Sequence, residues 1–257
     1  MSTYDFYLRG DNGRYDYETR ISLPSVTTVV SAVLAKPQLV AWAYERTLDA
    51  VTGLVSHIHD ADAATADEIF DTLSDYDLLD EWIRANEAHY TDASKAAAER
   101  GQAAHALLAH LVLIYQQEDE AAAHRYAGKD HHGPYKQAVA QWWLDRQPHP
   151  LESEKVVFSL RHGYAGRFDL LADFGLSVPK IIDLKTRRAG LGVYKSDEVQ
   201  LGGYKIAAEE RGVVIGGTSV LLAHDDGTYE EVETWVEPEA FLKIVEVYYM
   251  LRKTRIE

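Results

Sequence analysis

Two β-rich runs, GRFDLLADF at 166–174 and KIIDLKT at 180–186, each carry an aspartate among apolar residues. A carboxylate inside an apolar strand is unfavourable unless it is paired, hydrogen-bonded or bound to a cation. That constraint limits the fold more than any other feature of the chain. Side chains alternate along a strand, so Asp183 and Lys185 share a face while Leu184 turns into the core. Asp169 precedes Asp183 by 14 residues, which lets two adjacent strands converge two carboxylates and an ammonium. An Asp-x-Lys pair on a surface strand is also an ordinary salt-bridge pattern, but Ile181, Ile182 and Leu184 mark this strand as buried.

The texture of the chain changes at Pro148 and Pro150. Before them, YDFYLR and RYDYET flank the turn GDNG and predict a hairpin. Helices are predicted from Pro24–Ser25, from about Pro37, once or twice within 65–91, over 92–115 and over 133–147. After the prolines come three short strands (EKVVFSL, YAGRFDLLADF, KIIDLKT), a helix at about 197–211, two strands joined through Gly227 and a helix from Pro238. The order predicts an α/β fold: a mixed central sheet flanked by helices, with a helical N-terminal annex. The expected organisation is a single domain over 1–257, its annex at 1–150 and its core at 151–257.

Composition narrows the chemistry. The chain has no cysteine, which excludes disulfides, thiolate zinc sites, iron–sulfur clusters and a cysteine nucleophile, and fits a reducing cytoplasm. Its 257 residues lack a secretory signal at the start and any apolar run of about 18 residues, so a soluble cytoplasmic protein with no membrane partner is expected. The formal charge is −15, unevenly spread: residues 41–90 hold 12 Asp/Glu against 2 Lys/Arg, and residues 151–212 hold 9 against 10. An acidic body around a near-neutral strip can orient a polyanion, though acidic helices also serve solubility alone.

Further candidates lie around the two strands. Ser94, Ala98, Gly101 and His105 recur at helical spacing, and Gly101 inside a helix suggests a close approach one turn before His105. His105 is a candidate third metal ligand, with His110 its competitor and a packed helical histidine the plainer alternative. Gln200 and Tyr204 share a helix face after the Asp-x-Lys strand and suit phosphate or base contacts. Arg187 and Arg188, directly after that strand, are the preferred phosphate contacts among a basic set that also holds Arg161, Arg167, Lys195 and Lys205. Trp142 and Trp143 are candidate base-stacking rings, but adjacent helix positions face different ways, so at least one is expected in the core. His57, His59, His131 and His132 lack convincing zinc spacing, and no phosphate-binding loop or nucleophile elbow occurs.

In order and spacing, Gly101-x-x-x-His105, GYAGRFD at 163–169, IIDLKT at 181–186 and Gln200-x-x-x-Tyr204 resemble the RecB-type branch of the PD-(D/E)xK nucleases. Phage exonucleases, mitochondrial genome-maintenance exonucleases and CRISPR-associated RecB-like exonucleases are the nearer groups. The likeness extends over about residues 24–210. It implies a restriction-endonuclease-like fold and a Mg²⁺- or Mn²⁺-dependent DNA exonuclease of recombination, repair or replication. His105, Asp169, Asp183 and the Leu184 carbonyl would ligate metal, with Lys185 catalytic. Gln200 and Tyr204 would position substrate; Ser94, on the His105 face, and Arg187 and Arg188, by their place after the strand, are the further candidate substrate contacts. Glu154 matches an acidic position of lesser weight. Many relatives carry four cysteines around an iron–sulfur cluster, and that property does not transfer here. Partners implied are DNA and a recombinase, annealing protein or helicase. The alternatives are a catalytically silent DNA-binding scaffold and an endonuclease on the same fold.

Overall fold

The computed structural model describes residues 3–9, 15–34, 45, 48–49, 52–53, 56, 61–85, 90–175, 178–235 and 237–253. The chain divides into two compact units, one of Met1–Ala35 with Gly101–Glu257 and the other of Lys36–Arg100. The first unit opens with the antiparallel pair β1 (Thr3–Arg9) and β2 (Tyr15–Pro24). Their expected GDNG turn lies outside the described residues. Ser25 then caps α1 (Val26–Val33), its hydroxyl accepting from Thr28 N–H at 3.0 Å.

In the second unit, Asp62 caps α2 (Ala63–Ser74) by accepting from Thr65 N–H at 2.9 Å, and α3 (Tyr76–Ala85) follows. These resolve the one or two helices expected in 65–91 as two. Most of the helix expected after Pro37 lies outside the described residues. The helix α4 (Tyr90–Gln117) starts two residues before the expected Asp92, and from Gly101 onward it belongs to the first unit.

Two helices follow in that unit. The short α5 (Glu120–Ala127), capped by Asp119, was not anticipated, because eight residues directly after a long helix give little periodicity. The next, α6 (Pro134–Arg146), has Pro at its first turn, where a missing N–H goes unnoticed.

Five strands form one sheet in sequence order: β3 (His149–Ser159), β4 (Tyr164–Asp173), β5 (Lys180–Arg187), β6 (Gly217–His224) and β7 (Tyr229–Thr234). The β3–β4, β4–β5 and β6–β7 pairs are antiparallel. The β5–β6 pair is parallel, as a crossover through α7 (Lys195–Glu209) requires. The chain ends its described course in α8 (Pro238–Lys253).

Both sheet faces are covered. Phe168, Ile181, Val220 and Leu222 pack with Val26 and Val29 of α1, Leu201 of α7 and Phe241 of α8. On the other face Leu170, Ile182, Leu184 and Leu221 meet Leu107, Leu108 and Leu111 of α4 and both tryptophans of α6. Each such side chain, withdrawn fully from water, contributes roughly 1.5–3 kcal/mol. Trp142 and Trp143 are 0 % and 1 % exposed, so neither ring is offered to a base. At least one core tryptophan was expected, and α6 buries both, on both tryptophan-bearing sides. The arrangement is a mixed five-stranded sheet flanked by helices, of restriction-endonuclease-like form. No helix among the described residues is long and apolar enough to cross a membrane.

Candidate functional site

The site grows out of two interruptions in the sheet. Between β4 and β5 the ladder runs Ala172↔Lys180, Leu171↔Ile181, Leu170↔Ile182 and stops. The next rung would pair Asp169 with Asp183. There the Asp169 side chain takes over, its Oδ2 accepting from Leu184 N–H at 2.7 Å. Between β3 and β4 the ladder passes from Ser153↔Leu170 to Lys155↔Phe168 and skips the rung of Glu154 and Asp169. Glu154 adopts φ +52°, a left-handed conformation that costs a non-glycine residue about 1–3 kcal/mol. The alternation of β4 breaks at the same point, with Phe168 on one face of the sheet and Leu170 on the other. Glu154, Asp169 and Asp183 thus form a row across three neighbouring strands. Like charges at opposed positions are unfavourable, so the row calls for positive charge.

That charge comes from several directions. Lys185 Nζ lies 2.5 Å from Asp183 Oδ2. Apart from this ion pair, that buried oxygen has no hydrogen-bond donor. Gln200 on α7 donates to Asp183 Oδ1 at 3.1 Å and to the Tyr204 hydroxyl at 2.8 Å. His105 on α4 brings Nδ1 to 3.2 Å from Asp169 Oδ1. Arg167 Nε stands 2.9 Å from Glu154 Oε2. His105, Glu154 and Asp169 each present a ligand atom, all within 4.8 Å of one another, and could hold a metal ion.

Two glycines set the spacing. A Cβ on Gly166 would come within 2.4 Å of Tyr204 Cε1, so a glycine there makes the seat for the tyrosine ring. A Cβ on Gly101 would touch Thr186 Oγ1 at 3.4 Å. What approaches the helix at Gly101 is therefore the end of β5.

The electrostatics follow from burial among these charges. Burial raises the Asp183 carboxyl to about 6, against the pull of the Lys185 ammonium. Burial also raises Glu154, assisted by the charge of Asp169 and opposed by Arg167. Burial alone would lower His105 and Lys185; both are raised because adjacent carboxylates outweigh it, Asp169 for the imidazole and Asp183 with Asp169 for the ammonium. Burial and the same two acids push the Tyr204 phenol well above its ordinary range.

These groups line a cavity of about 550 Å³ together with Tyr4, Thr27, Gln102, Ala106 and Ala109. Of the residues singled out from sequence, the structure gathers His105, Glu154, Arg167, Asp169, Asp183, Lys185, Gln200 and Tyr204 in it. Leu184 is wholly buried beneath it. Arg187 does not line the cavity: its guanidinium is held by Asp197 at 2.8 Å and lies over the Tyr194 ring at 4.4 Å. Arg188 is exposed beyond the strand end, and His110 instead packs edge-on against Tyr126. Ser94 lies on α4 within the other unit, its side chain outside the described residues. Sequence reasoning missed Tyr4, Thr27 and Gln102, which no motif marks, because only the tertiary fold brings the hairpin and α1 to the sheet end. It gave Glu154 least weight, although Glu154 stands with His105 and Asp169.

No protein-family model and no curated protein matches the chain. Among solved structures, the crystal structure of SSO0001 is similar at 15% identity and a TM-score of 0.33, over 58% of this chain and 75% of that one. An alkaline exonuclease (LHK-Exo) from Laribacter hongkongensis is similar at 15% identity and a TM-score of 0.30, over 55% of this chain and 84% of its own. Both likenesses are distant.

Proposed function

We propose that the chain is a divalent-cation-dependent deoxyribonuclease that hydrolyses phosphodiester bonds, acting as an exonuclease on DNA ends. The observation that carries this reading is the row Glu154–Asp169–Asp183 where the β4–β5 ladder stops, with Lys185 beside one end and His105 above its centre. The donors are hard carboxylate oxygens with one imidazole, a set that suits Mg²⁺ or Mn²⁺.

A bound divalent cation would supply neutralisation of phosphate charge and acidification of a water. Everything else falls to the chain. His105, Glu154, Asp169 and Asp183 would hold the ion, with the Leu184 carbonyl as a further donor. Asp169, fixed by Leu184 N–H, is preorganised by the sheet itself. Gln200 locks the orientation of Asp183 and is in turn set by Tyr204. The Lys185 ammonium stabilises negative charge that develops on the phosphate oxygens as the bond breaks. The cavity volume lies within the range of small-molecule sites and admits a nucleotide-sized group. The exonuclease mode rests on the order of the sequence motifs.

The deciding experiment digests end-labelled single-stranded and duplex oligonucleotides, and circular DNA, with Mn²⁺ or with EDTA. Cleavage of linear DNA with Mn²⁺ alone, and its loss by about a hundredfold or more in Lys185→Ala and Asp183→Asn, is expected. Circular DNA should stay intact. Full activity of either folded variant would overturn the assignment, and cut circles would make the protein an endonuclease. Binding without cutting in the wild type would leave a DNA-binding scaffold.

A further inference from the structure

Glu154 is claimed twice. Its carboxylate stands among the His105 and Asp169 ligand atoms, yet its Oε2 is also engaged by Arg167 at 2.9 Å. We propose that Arg167 is an exchangeable counter-ion. It holds Glu154 in the cation-free protein, yields it when a divalent cation binds, and then takes a phosphate of the bound strand. Cation binding and nucleic-acid binding are coupled through this one side chain. The inference rests on the nuclease reading above and adds a phosphate-binding residue and its control.

Three observations carry it. The pair is weak enough to exchange: the Arg167 side chain is 56% exposed and that of Glu154 31%, and solvated ion pairs of this kind contribute little. A doubly charged ion with three converging ligands outcompetes one guanidinium for the same carboxylate. Next, Arg167 and Lys185 are the Arg and Lys side chains among the described residues lining the cavity, and Lys185, only 20% exposed beside Asp183, serves the reacting phosphate in the reading above. Arg167 is the cation placed at the open side, and its planar fork matches two phosphate oxygens. Finally, Arg187, the arginine that sequence adjacency favours, is tied to Asp197 and stacked on Tyr194. Its guanidinium already has both partners in this structure.

The exchange gives opposite signs to two affinities, which a plain surface arginine would not. Mn²⁺ alone is titrated into the whole chain by calorimetry. A labelled single-stranded oligonucleotide is titrated by fluorescence anisotropy in Ca²⁺ or in EDTA, with a gel to verify that the probe stays intact. Arg167→Gln should tighten Mn²⁺ binding roughly two- to fivefold, because a competitor for Glu154 is gone. It should weaken DNA binding in Ca²⁺ about tenfold and reduce the salt slope there by about one. In EDTA, variant and wild type should bind DNA alike. Glu154→Gln, which frees Arg167 permanently, should bind DNA more tightly than wild type in EDTA. The inference is overturned if Arg167→Gln leaves Mn²⁺ affinity unchanged or weaker, or if it weakens DNA binding equally with and without Ca²⁺. A wild type that binds Mn²⁺ but no DNA overturns the nuclease reading, and the inference with it. A wild type that cuts DNA while both variants match it sinks the inference alone.

Discussion

Glu154 on β3 and Asp169 on β4 face each other at a rung where the strands form no backbone pair, and His105 stands over both. Nothing in the folding of a sheet requires that arrangement. The left-handed backbone at Glu154 and the opposed acids both act against stability, so a bound cation should repay the protein in stability as well as in chemistry.

Titrating Mn²⁺ into the protein should raise its melting temperature, since an ion that binds only the folded state at a hundredfold excess over Kd stabilises by about 2.7 kcal/mol. Asp183→Asn should lose most of this shift while remaining folded, because the amide keeps an acceptor for Gln200. Differential scanning calorimetry with Mn²⁺ or EDTA measures both. An equal shift in the variant would remove Asp183 from the ligand set.

Glu154→Gly should make the cation-free protein more stable. Relief of the left-handed conformation gains about 1–3 kcal/mol, while the part-exposed ion pair with Arg167 loses at most about 1 kcal/mol. Urea unfolding in EDTA should show a net gain of roughly 1 kcal/mol, and Mn²⁺ affinity should fall in the same variant. Stabilisation without loss of affinity would mean that Glu154 is not a ligand.

Gly166→Ala forces a methyl group against the Tyr204 ring and, at 2.9 Å, against Val26 Cγ2. Overpacking of this kind destabilises by about 1–3 kcal/mol. Displacement of Tyr204 also removes the hydrogen bond that sets Gln200, so the rate per folded molecule should fall with KM little changed. Steady-state kinetics below the unfolding transition test this, and an unaltered kcat would show that Tyr204 does not orient Gln200.

Trp142→Ala should cost about 3–5 kcal/mol, because the ring is wholly buried and its Nε1–H donates to Glu231 at 2.9 Å. DNA affinity of the remaining folded protein should be unchanged. A selective loss of affinity with stability intact would return the ring to the substrate.

The strands, the crossover and the Asp183–Leu184–Lys185 pattern were legible because alternation is local: Leu184 is fully buried and its two neighbours meet at 2.5 Å. The face of α7 that carries Gln200 and Tyr204 was legible from a spacing of four. What failed to show in sequence depends on long-range register. Glu154 matters because a rung is skipped opposite Asp169, fifteen positions away. Arg187 looked available because it follows the motif, yet Asp197 on the next helix holds it. Tyr4 reaches the cavity from the far end of the chain.

The bond from Leu184 N–H to Asp169 has a consequence for ancestry and loss. An acceptor at 169 finishes the sheet, so a descendant that abandoned its chemistry would still keep an aspartate or asparagine there for architecture alone. Glu154 completes no backbone bond of the sheet; its partner is the half-exposed Arg167, and its backbone is left-handed. On the nuclease reading, decay would erase the strained glutamate first.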